Sequence, residues 1–182
     1  MKFLLYSILL IAATNCGGSQ PSEPVATKPE PVIQEEQVDI LVGKLGLEDL
    51  QKAPFSAWFD PMYKSYKPND EALQTIKENI NDYEIVMFMG TWCADSQREV
   101  PKLYKVLELS NYDLNKMEVR AVREDKTLPD DRQKEYDITY VPTIIFYKDG
   151  EEAGRFVEYP QEDFEDDIAK IVSGEEYKHS YE

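Results

Sequence analysis

The residue with the most definite chemistry is Cys93, in the run Gly90-Thr91-Trp92-Cys93-Ala94-Asp95-Ser96. The apolar stretch Glu84–Met89 precedes this run and a helical pattern follows it, so Cys93 stands where a buried strand ends and a helix opens. The unpaired amides of a first helical turn, together with the helix dipole, stabilise an anion at that place. A thiol there is expected to have a depressed pKa and to act as a nucleophile at neutral pH. Ser96, one turn on, can donate its hydroxyl to the thiolate, whereas the Asp95 carboxylate opposes a second negative charge. Trp92 is read as a shield over the thiol that packs on the loop. Arg123, where a later strand ends, either stabilises the thiolate or is a solvated surface cation. Glu99 either lies near the site or is a charge on the helix surface.

Composition removes most competing chemistries. The chain has 182 residues, with 20 Lys and Arg against 36 Asp and Glu, a formal charge of −16. Such a surface repels phosphate, so nucleic acid is not an expected partner, and neither is a polybasic contact with a membrane. One His and two Cys are too few for zinc sites built from several such ligands. No cofactor is expected. A Ser-His-Asp hydrolase would need His179, in a tail expected to fray and so unable to hold a base in register. The carboxylates Glu162, Asp163, Glu165, Asp166 and Asp167 lack calcium-loop spacing and read as an acidic first helical turn with a solvated face.

The elements that must position Cys93 can be followed from Asn69. Asn69 caps a helix whose first turn is acidic, with Leu73, Ile76 and Ile80 at helical spacing. Glu84–Met89 reads as a strand buried on both faces. The helix after Cys93 carries Val100, Leu103, Tyr104 and Leu107 on one face, with Pro101 as a kink. Met117–Val122 is a strand, Asp130–Tyr136 a short helix, and Thr143–Tyr147 a strand. Asp149-Gly150 turns that strand back into Ala153–Val157. A last amphipathic helix with Phe164, Ile168, Ile171 and Val172 stops at Gly174. Strands joined through helices favour parallel pairing, and the hairpin adds an antiparallel edge. The expected fold is α/β, a central mixed sheet with helices on both faces. Residues 38–68 form an arm with a short strand near Val38–Val42 and a helical turn at Leu47–Gln51. Its aromatics Phe55, Trp58, Phe59, Tyr63 and Tyr66 pack it onto the domain.

With these residues in place, the chain resembles the thioredoxin superfamily, and within it the exported, membrane-tethered thiol oxidoreductases of the TlpA-like kind. Trp92-Cys93-x-x-Ser96 stands where the family has Trp-Cys-x-x-Cys. Glu99 and Pro101 fall where that branch has Glu and Pro, and Val141-Pro142-Thr143 matches the cis-proline loop. The resemblance covers residues 69–174, leaving 175–182 as a tail. It implies that Pro142 is cis and lies against Cys93, and that the backbone of Val141 pairs with a client strand. Two departures matter. Ser96 replaces the resolving cysteine, and Met87 stands where many thioredoxins bury an acidic residue. A dithiol reductase needs a second thiolate to expel its partner from the mixed disulfide. Three roles for Cys93 stay open. It is a monothiol nucleophile whose mixed disulfides an external thiol resolves, the anchor of a non-catalytic module that holds a partner in the cis-proline groove, or a buried filler. Exposure of a helix N-terminus after a Gly-containing loop argues against the filler. Protein or low-molecular-weight thiols and disulfides are the expected partners, and a monomer the expected state.

The start of the chain reads as an address. Lys2 and the apolar Phe3–Ala13 fit an export signal, and Ala13-Thr14-Asn15-Cys16 resembles a lipobox, so residues 1–15 are expected to be removed and Cys16 to carry lipid. Residues 16–37, with Pro21, Pro24, Pro29 and Pro31, cannot bury enough apolar surface to order themselves and read as a spacer. A bacterial envelope membrane, with the domain in the periplasm and the lipid as the only membrane contact, is the expected location.

Overall fold

A computed structural model of the chain describes residues 40–182. The expected signal segment, Cys16, the spacer and the first residues of the arm lie outside the described residues.

Five strands form one sheet. They are β1 (Gly43–Lys44), β2 (Tyr83–Met89), β3 (Met117–Ala121), β4 (Thr143–Lys148) and β5 (Glu151–Val157), in the spatial order β1-β3-β2-β4-β5. β2 and β3 run parallel, with Met87 beside Val119, while β1–β3, β2–β4 and β4–β5 are antiparallel. The antiparallel β2–β4 pair differs from the sequence expectation of parallel strands up to the hairpin. The connection from β3 leaves at the Cys93 end of the sheet and returns there, at Pro142-Thr143. It never crosses to the far end, so β4 has to run back against β2.

The helices are α1 (Leu47–Leu50), α2 (Ser56–Ser65), α3 (Asp70–Asn79), α4 (Ala94–Leu109) and α5 (Phe164–Ser173). Asn69 caps α3 by accepting from the Ala72 amide at 2.8 Å. Gly174, at φ 78°, ends α5 in the left-handed region where glycine carries no Cβ penalty. One sheet face, with Ile85, Met87, Met89, Val119, Ala121, Ile144, Phe146 and Phe156, shares a core with buried residues of all five helices. Phe59 of α2 is fully buried there, stacked on Tyr63 and edge-on to Tyr104 of α4.

The opposite face is covered differently. Here β3 alternates, presenting Glu118 and Arg120, which pair with each other and with Arg132 and Asp130 of the β3–β4 connection. Only Val86, Phe88 and their neighbours need apolar cover, and Leu128, Tyr136 and Ile138 of the same connection supply it. The helix expected over Asp130–Tyr136 is accordingly a single 3-10 turn at Arg132–Lys134. At the margins of the sheet, β1 is two residues long and β5 opens with exposed Glu151 and Glu152.

Candidate active site

Cys93 is the N-cap residue of α4, and its carbonyl accepts the first helical bond from Gln97 N–H at 2.9 Å. The turn that delivers it is tight. Cys93 N–H donates to Gly90 O at 3.0 Å, and the Trp92 indole folds back over Gly90 so closely that a Cβ there would lie 2.6 Å from the ring. Trp92 Nε1–H donates to Val122 O at 2.9 Å, tying the loop to the end of β3, and Lys126 Nζ sits 5.4 Å from the ring centroid. Thr91 is pinned from two sides. Its Oγ1 accepts from Leu41 N–H and its carbonyl accepts from the Gln97 side-chain amide.

The Val141–Pro142 peptide is cis, and both residues are buried against the site. Cys93 Sγ–H donates to Val141 O at 3.1 Å, so the thiol faces this loop directly. The loop is braced by Thr143 Oγ1–H, which donates to Tyr140 O at 2.7 Å, and by Glu158 N–H, which donates to Pro142 O at 2.8 Å.

Four of the expected site residues therefore converge, namely Trp92, Cys93, Val141 and Pro142. The surroundings of Cys93 and the positions of the other expected residues are as follows. Cys93 itself is 8 % exposed, enclosed by Phe88, Val122, Leu128 and Val141, because the β3–β4 connection folds over the helix start. Ser96 is fully buried, and its Oγ accepts from Gly90 N–H at 3.1 Å. Among the described residues no hydrogen bond joins Ser96 to Cys93, since the hydroxyl is turned toward the end of β2. Asp95 is held by Arg98 at 2.6 Å rather than standing free beside the thiol. Arg123 is exposed, and it adds only a small pull on nearby Asp125, whose carboxyl is held below the ordinary range chiefly by Thr127. Glu99 is not a surface charge. It is fully buried between Arg98 at 2.5 Å and Lys102 at 2.9 Å.

Two residues near the site escaped the sequence reading. Lys126 over Trp92 follows a turn whose path no periodicity shows. Glu158, just past β5, faces Asp95, Arg98 and Lys126 from across the site. Burial and Asp95 push its carboxyl up, against the pull of the two cations. With Asp95 and Arg98 these make a rim of mixed charge around an apolar enclosure.

The profile of the thioredoxin family matches residues 57–168. The chain belongs to the thioredoxin family. Among solved structures it is similar to a protein of unknown function from Pseudomonas aeruginosa, 16% identical, over 68% of this chain and 86% of that one, with a TM-score of 0.53. An HIV epitope scaffold matches with 16% identity over 69% of this chain and 88% of that one, at a TM-score of 0.52. The thioredoxin of Fasciola hepatica is 27% identical over 46% of this chain and 75% of that one, with a TM-score of 0.32. No curated protein matches the chain. At these identities the first two structures share the thioredoxin fold with this chain and establish nothing about its chemistry. The fold is consistent with thiol–disulfide chemistry and with protein or small-thiol substrates.

Proposed function

We propose that this thioredoxin-family protein is a monothiol that exchanges disulfides through Cys93. The observation that carries the reading is the placement of Cys93 Sγ at the start of α4 and 3.1 Å from the Val141 carbonyl, beside cis-Pro142. Ser96, three positions on, is a buried hydroxyl rather than a second thiol.

In the first step the Cys93 thiolate attacks one sulfur of a client disulfide, and the other sulfur leaves as a thiolate. The mixed disulfide so formed cannot be resolved from residue 96, because a hydroxyl there cannot attack sulfur as a thiolate does. An external thiol attacks the captured sulfur instead, releasing Cys93 as a thiolate and forming a disulfide between that thiol and the half of the disulfide that Cys93 had held. When the client is a glutathione mixed disulfide and the external thiol is glutathione, the products are a free client thiol and glutathione disulfide, and Cys93 returns unchanged. Within this reading Ser96 fixes the turn beneath the thiol, and Trp92 with Val141 walls the entry.

The sequence extends the proposal to the cell envelope. Residues 1–15 act as an export signal, Cys16 carries the lipid, residues 16–37 space the domain from the membrane, and the molecule works as a monomer in the periplasm. The TlpA-like pattern of Glu99 and Pro101 supports the same placement.

A second reading is favoured by one observation, the 8 % exposure of Cys93. In it the domain holds a partner strand against Val141 without turnover. One assay separates the two. Reduction of a glutathione mixed disulfide is followed with excess glutathione, in the parent chain and in Cys93→Ser. Turnover lost in the variant supports exchange, and its absence from both chains leaves the holding module.

A further inference from the structure

α5 begins at the Cys93 end of the sheet and runs away from it, ending at Gly174. The chain does not stay there. The left-handed Gly174 and the bond from Glu175 N–H to Lys170 O reverse its direction. Tyr177 hydroxyl then donates to Asp167 Oδ2 at 3.0 Å, a residue about two helical turns, or about 10 Å, back toward the site. Buried Asp167 also accepts from the Gln161 amide, so it holds the returning segment and the loop before α5 together.

Beyond Tyr177 the segment reaches the loop that faces the thiol. Ser180 Oγ–H donates to Tyr159 O at 2.5 Å. The Tyr181 ring lies flat on Tyr140, with centroids 3.8 Å apart and planes 9° from parallel. Its hydroxyl donates to the Glu158 carboxylate. Both partners belong to the site: Tyr140 directly precedes Val141, whose carbonyl holds Cys93, and Glu158 N–H holds Pro142 O. The tail expected to fray is thus seated beside the catalytic loop. Its hold is peripheral, because Tyr140, Tyr159 and Tyr181 stay 36%, 44% and 42% exposed. An ordered segment held by one ring stack and a few edge hydrogen bonds can lift without disturbing the core.

We propose that Lys178–Glu182 is a strap over the client-facing side of the Val141–Pro142 loop, anchored at Tyr177, which packs on the core, and that large partners reach Cys93 only while it is lifted. The proposal rests on entry to the thiol past that loop, the same entry the exchange reading uses. Its test reads access to the sulfur and needs no turnover. Carrying Cys16→Ser, the full chain has Cys93 as its only thiol. In that background the alkylation rate is measured with iodoacetamide and with a bulky maleimide, for the parent, Tyr181→Ala and Tyr181→Phe.

Loss of the stack and of the charge-assisted bond in Tyr181→Ala should raise the bulky-maleimide rate about tenfold. Tyr181→Phe keeps the ring and should give about a threefold rise. Iodoacetamide should gain less than the maleimide in each case. Circular dichroism and thermal melting verify that each variant is folded. If Tyr181→Ala does not fold, Tyr181→Phe decides, and a maleimide rate equal to the parent's in the folded variant overturns the strap. Equal acceleration of both reagents also overturns it, since that marks general loosening. Absence of glutathione-dependent turnover in every chain removes the exchange reading while leaving the strap standing on its alkylation rates.

Discussion

Replacing Ser96 by Ala separates two roles for a hydroxyl placed three residues after Cys93. In the structure Ser96 Oγ accepts from the Gly90 amide at 3.1 Å, and both residues are buried. Alanine removes the acceptor and leaves the Gly90 N–H with no water within reach. An unsatisfied buried donor costs about 1–3 kcal/mol, so the expected loss of stability is about 2 kcal/mol. For a folded region of this size each kcal/mol moves the melting temperature by roughly 2–4 °C, which gives a drop of about 4–8 °C. Urea unfolding followed by tryptophan emission measures the free energy, and calorimetry the melting shift. In the same variant the pH midpoint of Cys93 alkylation should stay where the parent has it, because no bond from Ser96 reaches the sulfur. The reasoning fails if stability changes by less than about 0.5 kcal/mol while the alkylation midpoint moves. That pair of results would show the hydroxyl working on the thiol and not on Gly90.

Ser96→Cys should form a 93–96 disulfide on mild oxidation and convert the protein to a dithiol reductase, read by thiol titration and by reduction of a protein disulfide. Thiols that stay free after oxidation would show that positions 93 and 96 do not face each other as a reactive pair. Gly90→Ala drives a Cβ to 2.6 Å from the Trp92 indole. The ring should shift and lose its bond to Val122, with a cost of about 1–3 kcal/mol and a change in tryptophan emission. An unchanged melt and spectrum would mean that the loop accommodates the methyl group. Asp167 supplies a pH test. Burial raises its carboxyl above the ordinary 3.8, against the pull of its bonds from Gln161, Tyr177 and Glu162 and of nearby Lys170. The native state therefore binds this proton more readily than the unfolded chain. The resulting stability is fully present below about pH 3.8 and is lost as the pH rises through the raised value. Relative to Asp167→Asn, the parent should gain stability as the pH falls from about 7 toward 4. A parent that loses ground over that range has the opposite sign of shift.

The parts of the fold legible in the sequence are those whose signals are local. Asn69 before an acidic turn, the apolar Ile85–Met89 run, Asp149-Gly150 between two strands, and Gly174 after an amphipathic stretch each carry their own cause. α2 was hidden by Pro61 in its interior and by aromatics that read equally well as packing in an irregular arm. The direction of β4 was hidden because it depends on the end of the sheet to which the β3–β4 connection returns, and no residue in that connection encodes it. At the site, the cysteine was readable from its residue type and its place between strand and helix, and the proline loop from the family resemblance. The engagement of Ser96 with Gly90 was not, since a serine one turn into a helix looks the same whether it faces sulfur or a backbone amide. Glu99 illustrates the same limit. A carboxylate between Arg98 and Lys102 reads as a surface cluster, yet its ion pairs are what permit its full burial.

The margins of the sheet bear on how tightly such molecules can be crowded. β1 offers a neighbouring chain only two residues to pair with, and β5 begins with two exposed glutamates. Short and charged margins of this kind resist the edge-to-edge growth by which sheets join into fibres. With a formal charge of −16 on the whole chain, neighbouring copies also repel one another. High local density is thus reached without sheet edges joining from one copy to the next.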